Sequence, residues 1–224
     1  MLSVVGVGKM FDDGDASRWV VRNVTFDVGS GEVVALWGPS GCGKSTLLNL
    51  VAGLLPVDEG EIRVNIPEVP GAPDGAVMRI DRLNERRRVA YRRKNLGFIF
   101  QFYNLIPTLT VEENVRFPLE LNGLPGLADQ ALARLDTLGV ADRAHAFPET
   151  LSGGEQQRVA IARAFAHAPP IVLADEPTGN LDADSARAVV DLLWREVRQA
   201  GTALVIATHN EEIAQAADRM VSLG

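Results

Sequence analysis

The run Gly38-Pro39-Ser40-Gly41-Cys42-Gly43-Lys44-Ser45-Thr46 brings glycines, a lysine and hydroxyls together at P-loop spacing. Its chemistry is the cradling of a triphosphate. Closely spaced negative charges are neutralised by backbone amides only where the backbone comes very near, and glycines at 38, 41 and 43 remove obstructing Cβ atoms and permit positive φ. Lys44 is placed to reach the β- and γ-phosphates, and Ser45 to ligate Mg²⁺. Far downstream, the apolar run Ile171-Val172-Leu173-Ala174 ends in Asp175-Glu176. Two adjacent acids allow a division of labour, Asp175 holding Mg²⁺ through water and Glu176 positioning and deprotonating the attacking water. That pairing favours a hydrolase over a nucleotide-binding scaffold. A third run, Leu151-Ser152-Gly153-Gly154-Glu155-Gln156-Gln157-Arg158, fits a capping box with Ser152 as N-cap and Glu155 at N3, which alone marks a plain helix start.

These side chains need strands that end, and helices that begin, at one edge of a sheet. Residues 32–37 read as a buried strand feeding the glycine loop, and residues 44–55 as the helix leaving it. That order aims unpaired N–H groups and the positive end of the helix dipole at the phosphates. The run before Asp175 reads as a strand of a parallel sheet, which puts both acids at the carboxyl edge where ligands of open α/β folds sit. Residues 96–100 and 203–208 read as further strands, and residues 20–28 alternate like a strand with one exposed face. Helical periodicity runs over 127–138, bounded by Pro125 and Gly139, and over 185–199, bounded by Asp184 and Gly201. Residues 65–75, with three prolines and two glycines, read as an extended surface loop.

With these runs in this order, the chain resembles the nucleotide-binding subunits of ATP-binding cassette (ABC) proteins over essentially its whole length. The resemblance implies an α/β fold: a P-loop NTPase with a RecA-like, mostly parallel sheet core, a small antiparallel β subdomain and an inserted α-helical subdomain. It implies a single ABC ATPase domain over 1–224. Approximately 1–100 and 166–224 would form the nucleotide-binding core with the β subdomain, and approximately 101–165 the helical signature subdomain. By the same resemblance Phe11 stacks on adenine, although the family more often has tyrosine there. Gln101 senses Mg²⁺ and the attacking water, and His209 contacts the γ-phosphate. Ser152 and Gly154, with Gly153 between them, bind the γ-phosphate of ATP held by a second subunit. Asp182 is the acid of Asn180-Leu181-Asp182, where the family often has Ala-Leu-Asp. ATP would then be sandwiched between the P-loop of one subunit and the signature of another. The result is a head-to-tail dimer, formed with a second copy or a paralogous ATPase, that closes on binding and opens on hydrolysis.

The run from Gln101 to Val115 opens the helical subdomain by resemblance. In the family, the cleft between that subdomain and the core receives a coupling helix of an integral membrane permease; Phe102, Tyr103 and Leu105 either line that cleft or fill the subdomain core. The phrases from Phe100 to Thr110 and from Leu173 to Asp182 are similar to one branch, which holds the ATPases of lipoprotein release, macrolide export, peptide-antibiotic efflux and bacterial cell division. That similarity implies an ATP-hydrolysing subunit driving export or extraction of a lipidic or hydrophobic cargo through a separate permease. The alternative is a mechanotransmission ATPase that regulates an extracytoplasmic partner and transports nothing. A cassette acting on ribosomes or DNA would call for a tandem cassette, a coiled-coil insertion or a basic surface.

Composition limits the choice. In 224 residues there are 29 acidic and 22 basic side chains, a net charge of −7, which weighs against nucleic acid as a partner. Arg86-Arg87-Arg88 with Arg92-Arg93-Lys94 reads as a solvated helix face, or else as a contact to anionic lipid or a partner. Cys42 is the single cysteine, which excludes an internal disulfide, suits a reducing compartment and leaves a thiol in the P-loop open to modification. His145 and His167 lack any motif and read as surface or helix-end residues. Met1 opens no signal peptide, and no apolar run approaches the ~20 residues that span a bilayer. The expected location is therefore cytoplasmic, peripheral on the inner face of the cell membrane. The chain ends at Gly224, as expected of a minimal cassette with no regulatory domain.

Overall fold

The computed structural model describes residues 1–12, 14, 17–65 and 77–223. In chain order the elements are β1 (Leu2–Asp12), β2 (Ser17–Val28), β3 (Val33–Trp37), α1 (Lys44–Val51), β4 (Glu59–Asn65) and β5 (Val77–Arg79). They continue as α2 (Glu85–Asn95), β6 (Leu96–Ile99), α3 (Val111–Asn122), α4 (Ala128–Thr137) and α5 (Gly153–Phe165). The chain closes with β7 (Ile171–Asp175), α6 (Ala183–Ala200), β8 (Ala203–Thr208), α7 (Glu211–Gln215) and β9 (Arg219–Ser222). One sheet has the order β2-β1-β4-β5 and is antiparallel; the other has the order β6-β7-β8-β3-β9 and is parallel throughout. This is the α/β P-loop NTPase fold that the motifs imply.

Successive side chains of a strand point to opposite faces, and a parallel sheet covered on both sides needs apolar residues on each. The strands β3, β7 and β8 obey that rule. Val33, Ala35, Val172, Ala174, Leu204 and Ile206 join one core with α3, α4, α5 and α6. Val34, Leu36, Ile171, Leu173, Ala203 and Val205 join the other, against α1 and the antiparallel sheet. Gly97 lets β6 pass under the signature helix, since a Cβ there would stand 2.3 Å from the Ala164 carbonyl oxygen. A buried ion pair, Arg134 Nε to Glu196 Oε2 at 3.0 Å, ties α4 to α6.

Several boundaries differ from the sequence expectations. The helix after the P-loop stops at Val51 rather than 55, because Gly53 turns left-handed (φ 63°) and the amides of Leu54 and Leu55 fold back onto the Asn49 carbonyl. The 185–199 helix starts earlier, at Ala183; its cap is Asp182, not Asp184, and Gly201 (φ 63°) ends it as expected. Strand β2 begins at Ser17, and β6 ends one residue before Phe100. Of the surface loop expected over 65–75, Asn65 ends β4 and the rest lies outside the described residues. Among the described residues no helix is long and apolar enough to cross a membrane.

Candidate nucleotide site

Strand β3 delivers the chain into the glycine loop, and α1 leaves it with Gly43 at the N-cap and no side-chain cap. The first-turn amides of α1 therefore keep no internal partner, the arrangement that favours an anion. Two glycines have a reason beyond ligand approach. A Cβ on Gly43 (φ 101°) would lie 2.5 Å from the Val20 carbonyl oxygen, and one on Gly38 would lie 2.2 Å from that of Leu223. Gly41 meets nothing within 4 Å and faces open space. Two of the three loop glycines are thus required by protein neighbours alone.

A cavity of about 280 Å³ lies over the loop, lined by Val20, Ser40, Gly41, Gly43, Lys44, Ser45, Thr46 and Glu176. Pro39 and Cys42 complete the loop, and Pro39 and Gly38 offer their carbonyl oxygens to the buried Lys44 ammonium at 3.1 and 2.8 Å. The same ammonium stands 3.8 Å from Glu176 Oε1. Ser45 Oγ donates to Asp175 Oδ1 at 2.9 Å. Burial raises the Asp175 carboxyl above its usual range and the neighbouring Glu176 charge adds to that, against the opposing pull of Ser45 and Lys44.

Adjacency in the parallel sheet explains how residues far apart in sequence meet. Asp175 and Ala207 are register partners on β7 and β8, so the residues just beyond them emerge side by side. Glu176 sits at φ 46°, pinned by its amide to the Ala207 carbonyl at 2.9 Å. Its Oε2 lies 2.8 Å from His209 Nδ1 and accepts the His209 amide at 3.3 Å. A base candidate and a phosphate-sensing candidate are thereby joined before any nucleotide enters.

The oxygen donors fit a hard cation. Mg²⁺ is typically held by one or two protein oxygens with water and substrate phosphates making up the rest, and Ser45 Oγ beside a partly desolvated Asp175 supplies such a pair. Gln101 is not brought to that pair. Its side chain lies against Gly179, and its carbonyl accepts from Asn180 Nδ2 at 2.8 Å. Phe11 also lies off the cavity lining, on β1 opposite Arg18, with Lys9 Nζ 5.5 Å from the ring centroid. A neighbouring hollow of about 550 Å³ meets the loop at Gly41 and Cys42 and is walled by Arg18, Trp19, Val221 and Ser222.

None of Ser152, Gly153 and Gly154 lines the P-loop cavity. Ser152 caps α5: its amide and hydroxyl donate to Glu155 Oε2 at 2.8 and 2.6 Å, and the Glu155 amide donates to Ser152 Oγ at 3.3 Å. These bonds, with help from Arg143, hold the Glu155 carboxyl down at about 2. Gly153 packs on the Tyr103 hydroxyl and Leu181, and the Asp182 carboxylate accepts the Ser185 amide.

A groove of about 350 Å³ runs between α3, β6 and α5. Its floor is Phe98, Phe100, Ile106, Phe117 and Leu121, and Arg92, Arg93, Arg163 and His167 also line it. Of the three residues expected either to line a cleft or to fill the subdomain core, Leu105 packs on the larger core, Phe102 is 71% exposed, and Tyr103 faces Gly153. Most of the arginine cluster is a solvated face of α2, but Arg92 turns inward to the Gly53 carbonyl at 2.9 Å. His145 is exposed as expected; His167 follows α5 but is buried, with no hydrogen-bond partner for either ring nitrogen. Sequence reasoning missed Val20, Arg143 and Arg163. Strand alternation could have marked Val20, whereas nothing in the local pattern marks the two arginines.

The family profile described as ABC transporter matches residues 21–179. An uncharacterised ABC transporter ATP-binding protein of Mycobacterium tuberculosis is 48% identical, covering 95% of this chain and 82% of that protein. The lipoprotein-releasing system ATP-binding proteins LolD of Cereibacter sphaeroides and Roseobacter denitrificans are 45% and 42% identical over the whole chain, covering 96% and 95% of those proteins. Among solved structures, the dimeric bacterial ABC transporter cassette MJ0796 superposes with a TM-score of 0.82 at 35% identity, covering 100% of this chain and 94% of that one. A post-hydrolysis dimer of the same cassette bound to ADP and Pi gives 0.81 at 34%. P-loop, paired acids, glycine-turn helix and relatives agree: the chain belongs to the ABC transporter family, as an ATP-binding and ATP-hydrolysing subunit.

Proposed function

We propose that this subunit drives the export or extraction of a lipidic or hydrophobic cargo through a separate integral membrane permease, by ATP-dependent closure of a head-to-tail dimer. The cargo class is supported by full-length similarity to proteins named for lipoprotein release. The dimer is supported by the placement of Ser152, Gly153 and Gly154 away from the cavity formed by 38–46. Each site is completed by two chains, either two copies of this one or this chain and a paralogous ATPase. The subunit works on the cytoplasmic face of the membrane, with 1–100 and 166–224 as its nucleotide-binding core and 101–165 as its helical signature region.

The roles proposed for individual residues are these. Amides of 38–46 and the Lys44 ammonium hold the β- and γ-phosphates, with Lys44 exchanging the Gly38 and Pro39 carbonyls for phosphate oxygens. Ser45 directly and Asp175 through water would hold Mg²⁺, which would neutralise phosphate charge. Glu176 takes the proton of the attacking water, and His209 fixes the orientation of that carboxylate through the 2.8 Å contact. On the family resemblance rather than on the cavity lining, Phe11 takes the adenine face, while Gln101 and Asp182 act in the closed state. The apolar groove beneath α3 and α5 takes the permease's cytoplasmic segment.

The test is the mass of Glu176→Gln by light scattering, with and without Mg-ATP. A dimer that appears only with Mg-ATP and is lost on adding Ser152→Arg is expected. A chain that binds Mg-ATP yet stays monomeric refutes closure as the working step.

A further inference from the structure

The capping box of α5 carries a charge problem. Glu155 is ionised and its Oε2 lies 2.6 Å from the Ser152 hydroxyl, the group assigned to a γ-phosphate. A phosphate arriving there meets a carboxylate at close range, and like charges oppose one another strongly where water is excluded. The structure contains the compensation. Arg143, on the 3-10 turn Ala141–Arg143, donates from Nε to Glu155 Oε1 at 3.0 Å, leaving Oε2 to Ser152. The guanidinium is half exposed, and its other carboxylate neighbour, Asp142, is 3.7 Å away and solvated. The turn itself is fixed: the Ala146 amide bonds the Arg143 carbonyl at 2.8 Å, and the Val111 amide of α3 bonds that of Ala146 at 2.9 Å.

The geometry points to Arg143 as a positioning residue for nucleotide-driven dimer closure, cancelling the Glu155 charge so that the Ser152 end of α5 accepts a phosphate held by another chain. The inference rests on the composite-site reading above. It separates two functions that the capping box combines. Glu155 must keep its oxygen to cap Ser152, but its charge is a liability that Arg143 removes. Neutralising Glu155 should therefore make Arg143 dispensable, which a merely structural ion pair would not do.

The experiment uses the full chain carrying Glu176→Gln and reads the Mg-ATP concentration for half-maximal dimerisation by light scattering. Nucleotide affinity of the monomer is followed separately with a fluorescent ATP analogue. Arg143→Ala is expected to raise the half-point about tenfold, the scale of one charge-assisted hydrogen bond, with monomer affinity unchanged. Adding Glu155→Gln should return it close to the starting value, and Arg143→Lys should retain most of the function. High salt should shrink the Arg143→Ala deficit, since screening acts on the same charge. Arg143→Ala dimerising like its parent overturns the proposal, as does a deficit that Glu155→Gln leaves in place. Failure of the parent itself to dimerise overturns the composite site, and this proposal with it.

Discussion

His167 makes the stability of this protein depend on pH in a window where few other groups act. The residue is 8% exposed, neither ring nitrogen reaches a partner within hydrogen-bond geometry, and burial pushes the imidazole from 6.5 down to about 4, only weakly opposed by the Leu96 backbone, which lies outside that geometry. A group with a depressed basic pKa binds its proton more readily in the unfolded chain. The folded state therefore holds full stability above 6.5 and loses it as pH falls toward 4. At about 1.4 kcal/mol per unit, the gap of roughly 2.5 units amounts to about 3 kcal/mol at most, and about 2 kcal/mol is already gone at pH 5. Glu155, held at about 2 from an ordinary 4.5, loses its contribution mainly below 4.5 and so adds little between pH 7 and pH 5. Urea unfolding at pH 7 and pH 5 should show that excess loss in the wild type and not in His167→Leu, whose side chain cannot titrate. Equal losses in the two proteins would refute the claim that a neutral, buried imidazole lies beside the groove.

Lys44→Ala should weaken ATP binding at least about tenfold in a fluorescent-nucleotide titration, because a buried ammonium supplies charge-assisted bonds that the loop amides cannot replace. Undiminished affinity would mean that the amides alone hold the phosphates. Arg134→Ala should destabilise by about 3 kcal/mol in chemical denaturation, since it strands Glu196, 4% exposed, inside the α4–α6 contact. Replacing both partners by leucine should recover most of that loss, and a deficit as large as the single variant's would refute the ion-pair account. Alkylation of Cys42 should block nucleotide binding, be slowed by ATP and be absent in Cys42→Ser. Inhibition by the thiol reagent that persists in Cys42→Ser would refute it.

Features carried by short runs were legible in the sequence. Strands β3, β7 and β8 are continuous apolar runs with chemistry at their carboxyl ends, and the Ser152 cap is written in four residues. The meeting of Glu176 with His209 could be expected from the resemblance, but its 2.8 Å contact depends on strand order that no local pattern encodes. Element ends failed where one backbone angle decides, as at Gly53, or where two acids compete to cap, as at Asp182 and Asp184. Sequence left Phe102, Tyr103 and Leu105 between lining the cleft and filling the subdomain core, because they look alike as apolar letters. Left-handed turns at Tyr103 (φ 59°) and Asn104 (φ 49°) send them in three directions. His167 read as a surface or helix-end residue; it follows the end of α5, but its burial depends on the groove residues of β6 and α3 that no local pattern announces.

Those left-handed turns have a mechanical consequence. The carbonyls of Tyr103 and Asn104 are both gripped by Arg163 of α5, at 2.8 and 2.5 Å, while the Gln101 carbonyl is gripped by Asn180. Gln101 and its neighbours are therefore a strap fastened at both ends, not a loose tether. Arg163 also lines the groove, so one guanidinium touches that hollow and belongs to the helix that opens at Ser152. In the proposed cycle, a load that shifts Arg163 would act directly on α5, the helix that begins at Ser152. By thermodynamic reciprocity, a ligand that grips this groove differently in the open and closed states must alter the ATP needed for closure, and ATP must alter that grip by the same factor.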